Sequence, residues 1–255
     1  MSKWLNKNRR KLERAGAIAL ALFAWETIAL LLNEPLLLSS PVQVIKRLGE
    51  MVIQSEFWQV LAYSALRSLC GFLLAFLMGI LLAFAAGHIH MLEVFLQPLM
   101  LAIKSVPVAS FIIISLIWLD SSSLSVFISF LMVFPVIYTN AMQGFRSADT
   151  GLEEMARLYR LGFGRKLLYV YLPCIKPYLL SACNVSLGLA WKSGIAAEVI
   201  GIPEGSIGEM LYQAKIYFDT ADLFAWTVVI VLTSQLAEKL FLSLLRFAFE
   251  EVEKL

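Results

Sequence analysis

Six long and nearly uncharged apolar blocks constrain this chain more than any other feature of its sequence. They occupy residues 15–32, 60–86, 94–119, 124–142, 167–190 and 223–245. A helix rises about 1.5 Å per residue, so roughly 20 apolar residues cross a hydrocarbon core of about 30 Å. Because lipid offers no partner for an open backbone, the spans must be helices. The sequence predicts an all-α, polytopic membrane protein of about six transmembrane helices.

The composition supports the same class of protein. Of the 255 residues, 60% are hydrophobic and 16% are charged, whereas a soluble domain carries roughly 45 to 50% apolar and about 25% charged residues. The net charge of +2 gives no reason to expect a nucleic-acid partner. The lipid bilayer is therefore the first partner that we expect.

Cysteine and histidine do not form a recognisable metal or disulfide pattern. Cys70, Cys174 and Cys183 lie in apolar sequence without a C-x-x-C pair, and we interpret all three as buried thiols. His88 and His90 are two residues apart, which places them on opposite sides of a helix. We predict no metal site and assign both histidines to a solvated loop.

Basic residues between the blocks predict the orientation of the chain. The segment 1–14 and the loop 144–166 are both rich in Lys and Arg, and basic flanks stay cytoplasmic. The loops assigned to the opposite side are rich in acidic residues, namely Glu34, Glu50, Glu56, Glu198, Glu204, Glu209, Asp219 and Asp222. We therefore expect a cytoplasmic segment 1–14, a single transmembrane domain 15–255 and both termini in the cytoplasm.

Charged side chains within the spans call for a reason, because each costs about 2.5 to 3.5 kcal/mol at a helix centre. Lys176 lies near the cytoplasmic end of its block and can extend to the surface. Arg67 and Lys104 lie deeper. Two interpretations stay open for these two: a pathway or dimer-interface role, or a buried structural pair or a side chain that extends to the surface.

Prolines at positions 98, 107, 135, 173 and 177 lie in or beside the apolar blocks. Each proline removes a backbone donor and favours a kink or a helix start. We expect broken or bent helices at these positions.

The loop between the fourth and fifth blocks carries the most informative polar segment, residues 149–173. Asp149 or Thr150 can cap a helix, and its first turn then holds Glu153 and Glu154, which favour the positive end of the helix dipole. Gly162 and Gly164 predict a turn, and a second short helix leads to Leu172 and Pro173. A helix pair of this kind under the membrane provides a handle for a cytoplasmic partner.

This loop resembles that of the permeases of bacterial binding-protein-dependent ABC importers, with the pattern EAA, three residues, Gly, nine residues, Ile, any residue, Leu-Pro. Glu154, Met155 and Ala156 occupy the EAA positions, and Arg160 stands where the family has glycine, so we expect the turn to have moved to Gly162. Val170, Leu172 and Pro173 occupy the last positions. The resemblance extends over roughly residues 38–240, in LLSSPVQV (37–44), SALRSLCGFLLAFLMG (64–79), IKSVPVAS (103–110) and AWKSGIAAEVIG (190–201).

The resemblance implies a permease subunit in the bacterial inner membrane that moves solute by alternating access. Its partners would be two ABC ATPase subunits, a second permease copy in a homodimer, and an extracytoplasmic solute-binding protein. The family branch serves aliphatic sulfonates, taurine, nitrate and some vitamin-precursor pyrimidines. Contact with the ATPase would involve Glu153, Glu154, Ala156, Arg160 and Gly162. Pathway or gate residues would be Arg67, Lys104, Trp191, Lys192 and Glu198.

We expect no enzyme activity and no cofactor in this chain. The sequence has no G-x-x-x-x-G-K-[ST] phosphate loop, so ATP and Mg would be bound by the partner ATPase. The main alternative is a secondary transporter or channel, which usually has inverted repeats and acidic or broken-helix sites at the midplane. A membrane-embedded enzyme would need a nucleophile with its base or a ligand cluster, and the sequence suggests neither.

Overall fold

The computed structural model describes residues 2–32, 34 and 36–253, without the side chains of residues 2–12, 14, 15, 150, 153, 157, 163 and 253. All regular secondary structure in these residues is helical. The helices are α1 (Ser2–Leu32), α2 (Pro41–Val52), α3 (Ser55–His88), α4 (His90–Ser105), α5 (Val108–Ser115), α6 (Ser121–Arg146), α7 (Thr150–Leu158), α8 (Phe163–Lys166), a π-helical segment (Leu167–Tyr171), α9 (Leu172–Gly201), α10 (Ile207–Ile216) and α11 (Thr220–Glu253). The predicted all-α class is confirmed.

The chain divides into two compact units, which are described separately. The first comprises Met1–Gln59 and Met210–Val229, and the second Val60–Glu209 and Ile230–Leu255. In the first unit, the indole N–H of Trp25 donates to the carbonyl oxygen of Ser39 at 3.1 Å, and Phe57 stacks on Trp226 at 5.3 Å. These contacts tie α1 to the segment before α2, and α3 to α11.

The second unit has a continuous apolar core, in which α6 and α9 pack along each other. Phe72, Ile137 and Leu187 are fully buried there. Gly144 lies so close to α9 that an added Cβ would stand 2.8 Å from the Cγ1 atom of Ile175. Small residues at helix crossings permit this close approach, which supplies the packing that holds helices together in lipid.

Three helices are long and apolar enough to span a membrane: Ser55–His88, Ser121–Arg146 and Thr220–Val252. The pair α4 and α5 supplies a fourth if it counts as one broken span, and Gly16–Leu32 is a shorter apolar helix. These helices support the predicted class of polytopic membrane protein. The total of six spans stays a prediction.

The block at residues 94–119 is not the single continuous span that we predicted. It bends by 102° between α4 and α5. Val106 is extended (φ −86°, ψ 134°) and Pro107 precedes the first residue of α5. Proline lacks an N–H and disfavours helical backbone in the residue before it, so α4 ends here and a new helix starts. The predicted break at Pro107 is confirmed, whereas the prediction of one uninterrupted span is wrong.

The fifth span also differs from its prediction, because α9 continues to Gly201. Trp191, Lys192 and Glu198 therefore lie within a helix. Glu198, which we assigned to an acidic external loop, is only 1% exposed. Of the three cysteines that we predicted to be buried, Cys70 is exposed, Cys174 is half-buried and Cys183 is buried. The sequence analysis also missed α2 and α10, which are short helices between apolar blocks.

Candidate functional site

Helix α7 begins where the sequence predicted it. The Oδ1 atom of Asp149 accepts a hydrogen bond from the backbone N–H of Gly151 at 2.7 Å, which satisfies one of the open donors at a helix start. Glu154 is exposed on this helix. The side chain of Glu153 lies outside the described residues. Aspartate capping thus confirms the start of the predicted loop helix.

The end of α7 corrects the predicted turn. Arg160 adopts a left-handed backbone conformation, with φ 48°, whereas Gly162 does not have positive φ. The backbone N–H of Leu161 donates to the carbonyl oxygen of Ala156 at 2.9 Å, which is the closing hydrogen bond of a Schellman motif with Arg160 in the position usually taken by glycine. The turn therefore stays at Arg160 and has not moved to Gly162.

The surface of α7 is apolar for an exposed helix. Its exposed side chains include Leu152, Met155, Leu158 and, just after the helix, Tyr159, of which Leu158 is 81% exposed. Ala156 is buried. A short helix with several large apolar side chains in solvent is typical of a surface that another protein covers.

The second helix of the loop joins the next span without a break. Helix α8 leads into the π-helical segment Leu167–Tyr171, which continues as α9. Val170, at a motif position, is buried in this segment. The predicted second short helix is therefore present as the start of a long helical rod. A displacement of this loop can be transmitted along that rod into the bundle.

Arg160 leads to a prediction about the local stability of the loop. A non-glycine residue in the left-handed region costs about 1 to 2 kcal/mol, so Arg160→Gly is expected to stabilise the turn by up to about 1 kcal/mol. Slower hydrogen exchange of the amide of Leu161 would show this. Gly162→Ala is the matched control, because its added Cβ meets nothing within 4 Å. Faster exchange in Arg160→Gly would contradict the prediction.

A second candidate site is a buried polar cluster in the second unit. Glu198 of α9 lies at its centre, and its Oε2 atom accepts a hydrogen bond from the hydroxyl of Ser64 at 2.7 Å. The backbone N–H of Gly208 reaches the same oxygen at 3.4 Å, and the N–H of Ile207 donates to Ser64 at 2.9 Å. The carboxylate thus holds the N-terminal turn of α10, where the helix dipole favours an anion.

Arg67 lies in the same cluster and interacts electrostatically with Glu198. Its Nη2 atom donates to the carbonyl oxygen of Ser121 at 2.9 Å, and its guanidinium lies 4.8 Å from the ring centre of Tyr63. Its Nε and Nη1 atoms have no hydrogen-bond partner among the described residues. Arg67 also lines a cavity of about 620 Å³ together with Ser122 and Ser123. The cluster therefore contains a desolvated cation beside an open space.

Serine hydroxyls from one face of α3 and one face of α6 complete the cluster around Gly194. An added Cβ at Gly194 would lie 2.5 Å from the Oγ atom of Ser129, 2.6 Å from that of Ser68 and 3.0 Å from that of Ser125. The sequence analysis missed these residues. The available signal was the four-residue spacing of Ser64 with Ser68 and of Ser125 with Ser129 in apolar spans, which puts each pair on one helix face.

The structure does not bring the other predicted pathway residues into this cluster. Lys104 is exposed and its Nζ atom lies 3.3 Å from the hydroxyl of Thr139. Lys192 is exposed. Trp191 is buried beside a separate apolar cavity of about 470 Å³. Of the five predicted residues, only Arg67 and Glu198 share a site.

Residues 75–247, well over half of the chain, match the family described as binding-protein-dependent transport system inner membrane component. This chain belongs to that family. Its members are transport permeases of the bacterial inner membrane, so the chain is an ABC importer permease, as the loop motif predicted.

Several relatives match most of this permease. It is 28% identical over 203 residues to a putative aliphatic sulfonates transport permease of Bacillus subtilis (strain 168), with 79% of this chain and 73% of the relative covered. It is 27% identical over 230 residues to the taurine transport system permease of Escherichia coli (strain K12), with coverage of 88% and 83%. A nitrate import permease of Leptolyngbya laminosa is 27% identical over 203 residues, with coverage of 75% and 71%.

The fold of the permease is also similar to a solved structure. A crystal structure of an amino acid ABC transporter with histidines superposes with a TM-score of 0.59 at 18% sequence identity, covering 80% of this chain and 97% of the other. At this identity the likeness concerns the fold. It agrees with the family assignment made from the sequence match.

Proposed function

We propose that this permease is driven by a separate ATPase through α7, and that it carries a small organic anion such as a sulfonate. The observation that carries the coupling proposal is the exposed apolar face of α7, with Leu158 81% exposed, beside the exposed carboxylate of Glu154. A helix of this kind offers both apolar contact and a directional charge to a partner cleft. It is joined through α8 and the π-helical segment to α9.

Each residue of the loop has a distinct part in this proposal. Glu154, with Glu153 beside it in sequence, supplies the anionic contact to the ATPase. Ala156 packs inward and supports the helix, and Arg160 closes it through the left-handed turn. Gly162 then connects this turn to α8. Closure of the ATPases on ATP would move α7 as a rigid body and rock α9.

The proposed assembly contains two permease copies, two ATPase subunits and an extracytoplasmic solute-binding protein. ATP and Mg would be held by the ATPase, because this sequence has no phosphate loop. The permease itself would then be non-enzymatic and carry no cofactor. Both termini and the loop at residues 144–166 would face the cytoplasm, as the distribution of Lys and Arg predicts.

The chemistry of the solute is proposed from two observations. Relatives are named for transport of aliphatic sulfonates, taurine and nitrate, and another for formylaminopyrimidine. Arg67 is a buried cation at the edge of a cavity, where it favours a negatively charged group. Glu198 would act as a gate residue by holding α10, and Lys104, Trp191 and Lys192 would line other parts of the pathway.

Reconstituted transport tests this proposal. The permease, its copurifying ATPase and the cognate binding protein would be placed in liposomes, with radiolabelled taurine, an alkanesulfonate, nitrate and formylaminopyrimidine offered separately. We expect uptake of taurine or of the alkanesulfonate, and only when ATP and Mg are on the ATPase side; uptake of nitrate alone would refute an organic solute. Uptake driven by an ion gradient without ATP would favour the secondary transporter. ATP-driven uptake of formylaminopyrimidine alone would refute the proposal of an anionic solute. It would still support the proposed coupling to an ATPase.

A further inference from the structure

Helix α2 lies between two helices of the membrane domain and is connected to them by short segments. Residues 33–40 separate it from α1, and only residues 53 and 54 separate it from α3. Ser40 caps its start, accepting a hydrogen bond from the N–H of Gln43, whose side chain returns a bond to the N–H of Ser40. This reciprocal capping box gives α2 a well-defined first turn.

Contacts within the first unit hold α2 at the level where α11 begins. The hydroxyl groups of Ser39 and Thr220 lie 2.6 Å apart. The guanidinium of Arg47 donates to both carboxylate oxygens of Asp222, with Nη2 to Oδ2 at 2.9 Å. This bidentate hydrogen bonding with Asp222 raises the pKa of Arg47. Because α11 is a candidate span that starts at Thr220, these contacts place α2 near the end of a span.

The surface of α2 divides into three arcs when its residues are placed at 100° intervals. Val44 and Met51 form a buried arc. An exposed polar arc contains Gln43, Lys46 and Glu50. The third arc is exposed and apolar, covers about 100° of the helix circumference, and contains Val42, Ile45, Gly49, Val52 and the following Ile53, with Ile45 67% and Ile53 86% exposed.

Trp58 lies beside the C-terminal end of this apolar arc. It is half exposed, and its indole N–H donates to the carbonyl oxygen of Val52 at 3.0 Å. Tryptophan is enriched at membrane interfaces because it joins an apolar ring to a polar N–H. Its position extends the apolar arc and ties it to the first turn of α3.

We propose that α2 is an interfacial helix whose apolar arc inserts into the lipid at the membrane surface. Each of the three arcs requires its own environment. The contacts with α11 show that the buried arc faces protein. The polar arc suits water, and the aliphatic arc beside a span end suits acyl chains. Interfacial helices of this kind insert about 5 to 10 Å into the boundary between headgroups and chains. The connection between α1 and α3 would thereby be anchored to the bilayer as well as to α11.

Spin-label accessibility in lipid nanodiscs tests this proposal on the intact transporter. Because Cys70, Cys174 and Cys183 are free, they would first be replaced by serine or alanine. Single labels would then be placed by Ile45→Cys and Gly49→Cys on the apolar arc, and by Lys46→Cys and Glu50→Cys on the polar arc as matched controls. An added Cβ at Gly49 meets nothing within 4 Å, so this variant is expected to fold normally.

We expect collisions with oxygen to exceed those with a water-soluble nickel chelate at positions 45 and 49, and the reverse at positions 46 and 50. Nickel accessibility at position 45 equal to that at position 50 would overturn the proposal, because the arc would then face water. Immobile labels at positions 45 and 49 that neither reagent reaches would also overturn it, because a second copy or another protein would then cover the arc.

Discussion

Replacing Glu154 by lysine is expected to abolish solute uptake while the permease remains inserted in the membrane. Glu154 is exposed on α7, so its substitution disturbs no buried packing in this chain. In the proposed assembly it contacts the ATPase, and lysine would present a like or unpaired charge to the same cleft. Its position on a short helix outside the candidate spans explains why insertion should be unaffected.

The expected magnitude follows from the cost of a mismatched charge at an interface, about 2 to 5 kcal/mol. Since each 1.4 kcal/mol corresponds to a tenfold change in affinity, the ATPase should dissociate roughly 30-fold to several thousand-fold more readily. The measurements are ATP-dependent uptake in vesicles and retention of the ATPase during purification of the permease. Both should fall together if α7 is the coupling element.

Glu56→Lys is the matched control for this experiment. Glu56 is an exposed glutamate in the first turn of α3, as Glu154 is an exposed glutamate near the start of α7, so its reversal loses a similar interaction with a helix dipole. Glu56 does not lie on the loop that carries α7, so uptake should be nearly normal. Normal uptake and ATPase retention in Glu154→Lys would show that the coupling contact lies elsewhere.

Glu198→Ala is expected to have the second large effect, on the stability of the second unit. The substitution removes the acceptor of the hydrogen bonds from Ser64 and Gly208 and leaves the buried cation of Arg67 without its neighbouring anion. Leaving a buried hydrogen-bond donor without its acceptor costs about 1 to 3 kcal/mol. We therefore expect a clearly lower midpoint of thermal unfolding and a reduced yield of the purified protein.

A double-variant comparison separates the charge interaction from simple loss of packing. If the two charges are coupled, Arg67→Met combined with Glu198→Ala should be less destabilised than the sum of the two single variants. Glu204→Ala is the control, because Glu204 is exposed close by in the sequence. Additive effects in the double variant would show that the two charges act independently. An unchanged unfolding midpoint in Glu198→Ala would contradict the structural role of the carboxylate.

The loop that carries α7 shows how much of the local structure can be predicted from sequence. Aspartate capping at Asp149 depends on adjacent residues only, so the start of α7 was predictable. The end of α7 was not, because glycine at position 162 suggested the turn. The closing hydrogen bond from Leu161 to Ala156 instead forces Arg160 into the left-handed region. The geometry of the whole turn outweighs the preference of one residue type.

The buried cluster shows what the chain alone could not indicate. Arg67 and Glu198 are 131 positions apart in the printed sequence, and one was predicted in a span while the other was predicted in a loop. Their proximity depends on α9 continuing past Trp191 and on serine and glycine permitting close approach at Gly194. Such packing follows from the shapes of several helices together, which no local pattern specifies.

The sequence by itself determined the membrane environment, the helical class, the family and the loop that carries α7. These depend on apolar length, on the distribution of charge and on a local motif, all of which act along the chain. Only the tertiary structure decided the bend at Val106 and Pro107, the partners of Arg67 and Glu198, and the three arcs of α2. The buried and exposed arcs can be assigned only from the contact of Arg47 with Asp222 of α11 and its neighbours. A side chain is buried or exposed according to what the fold places against it.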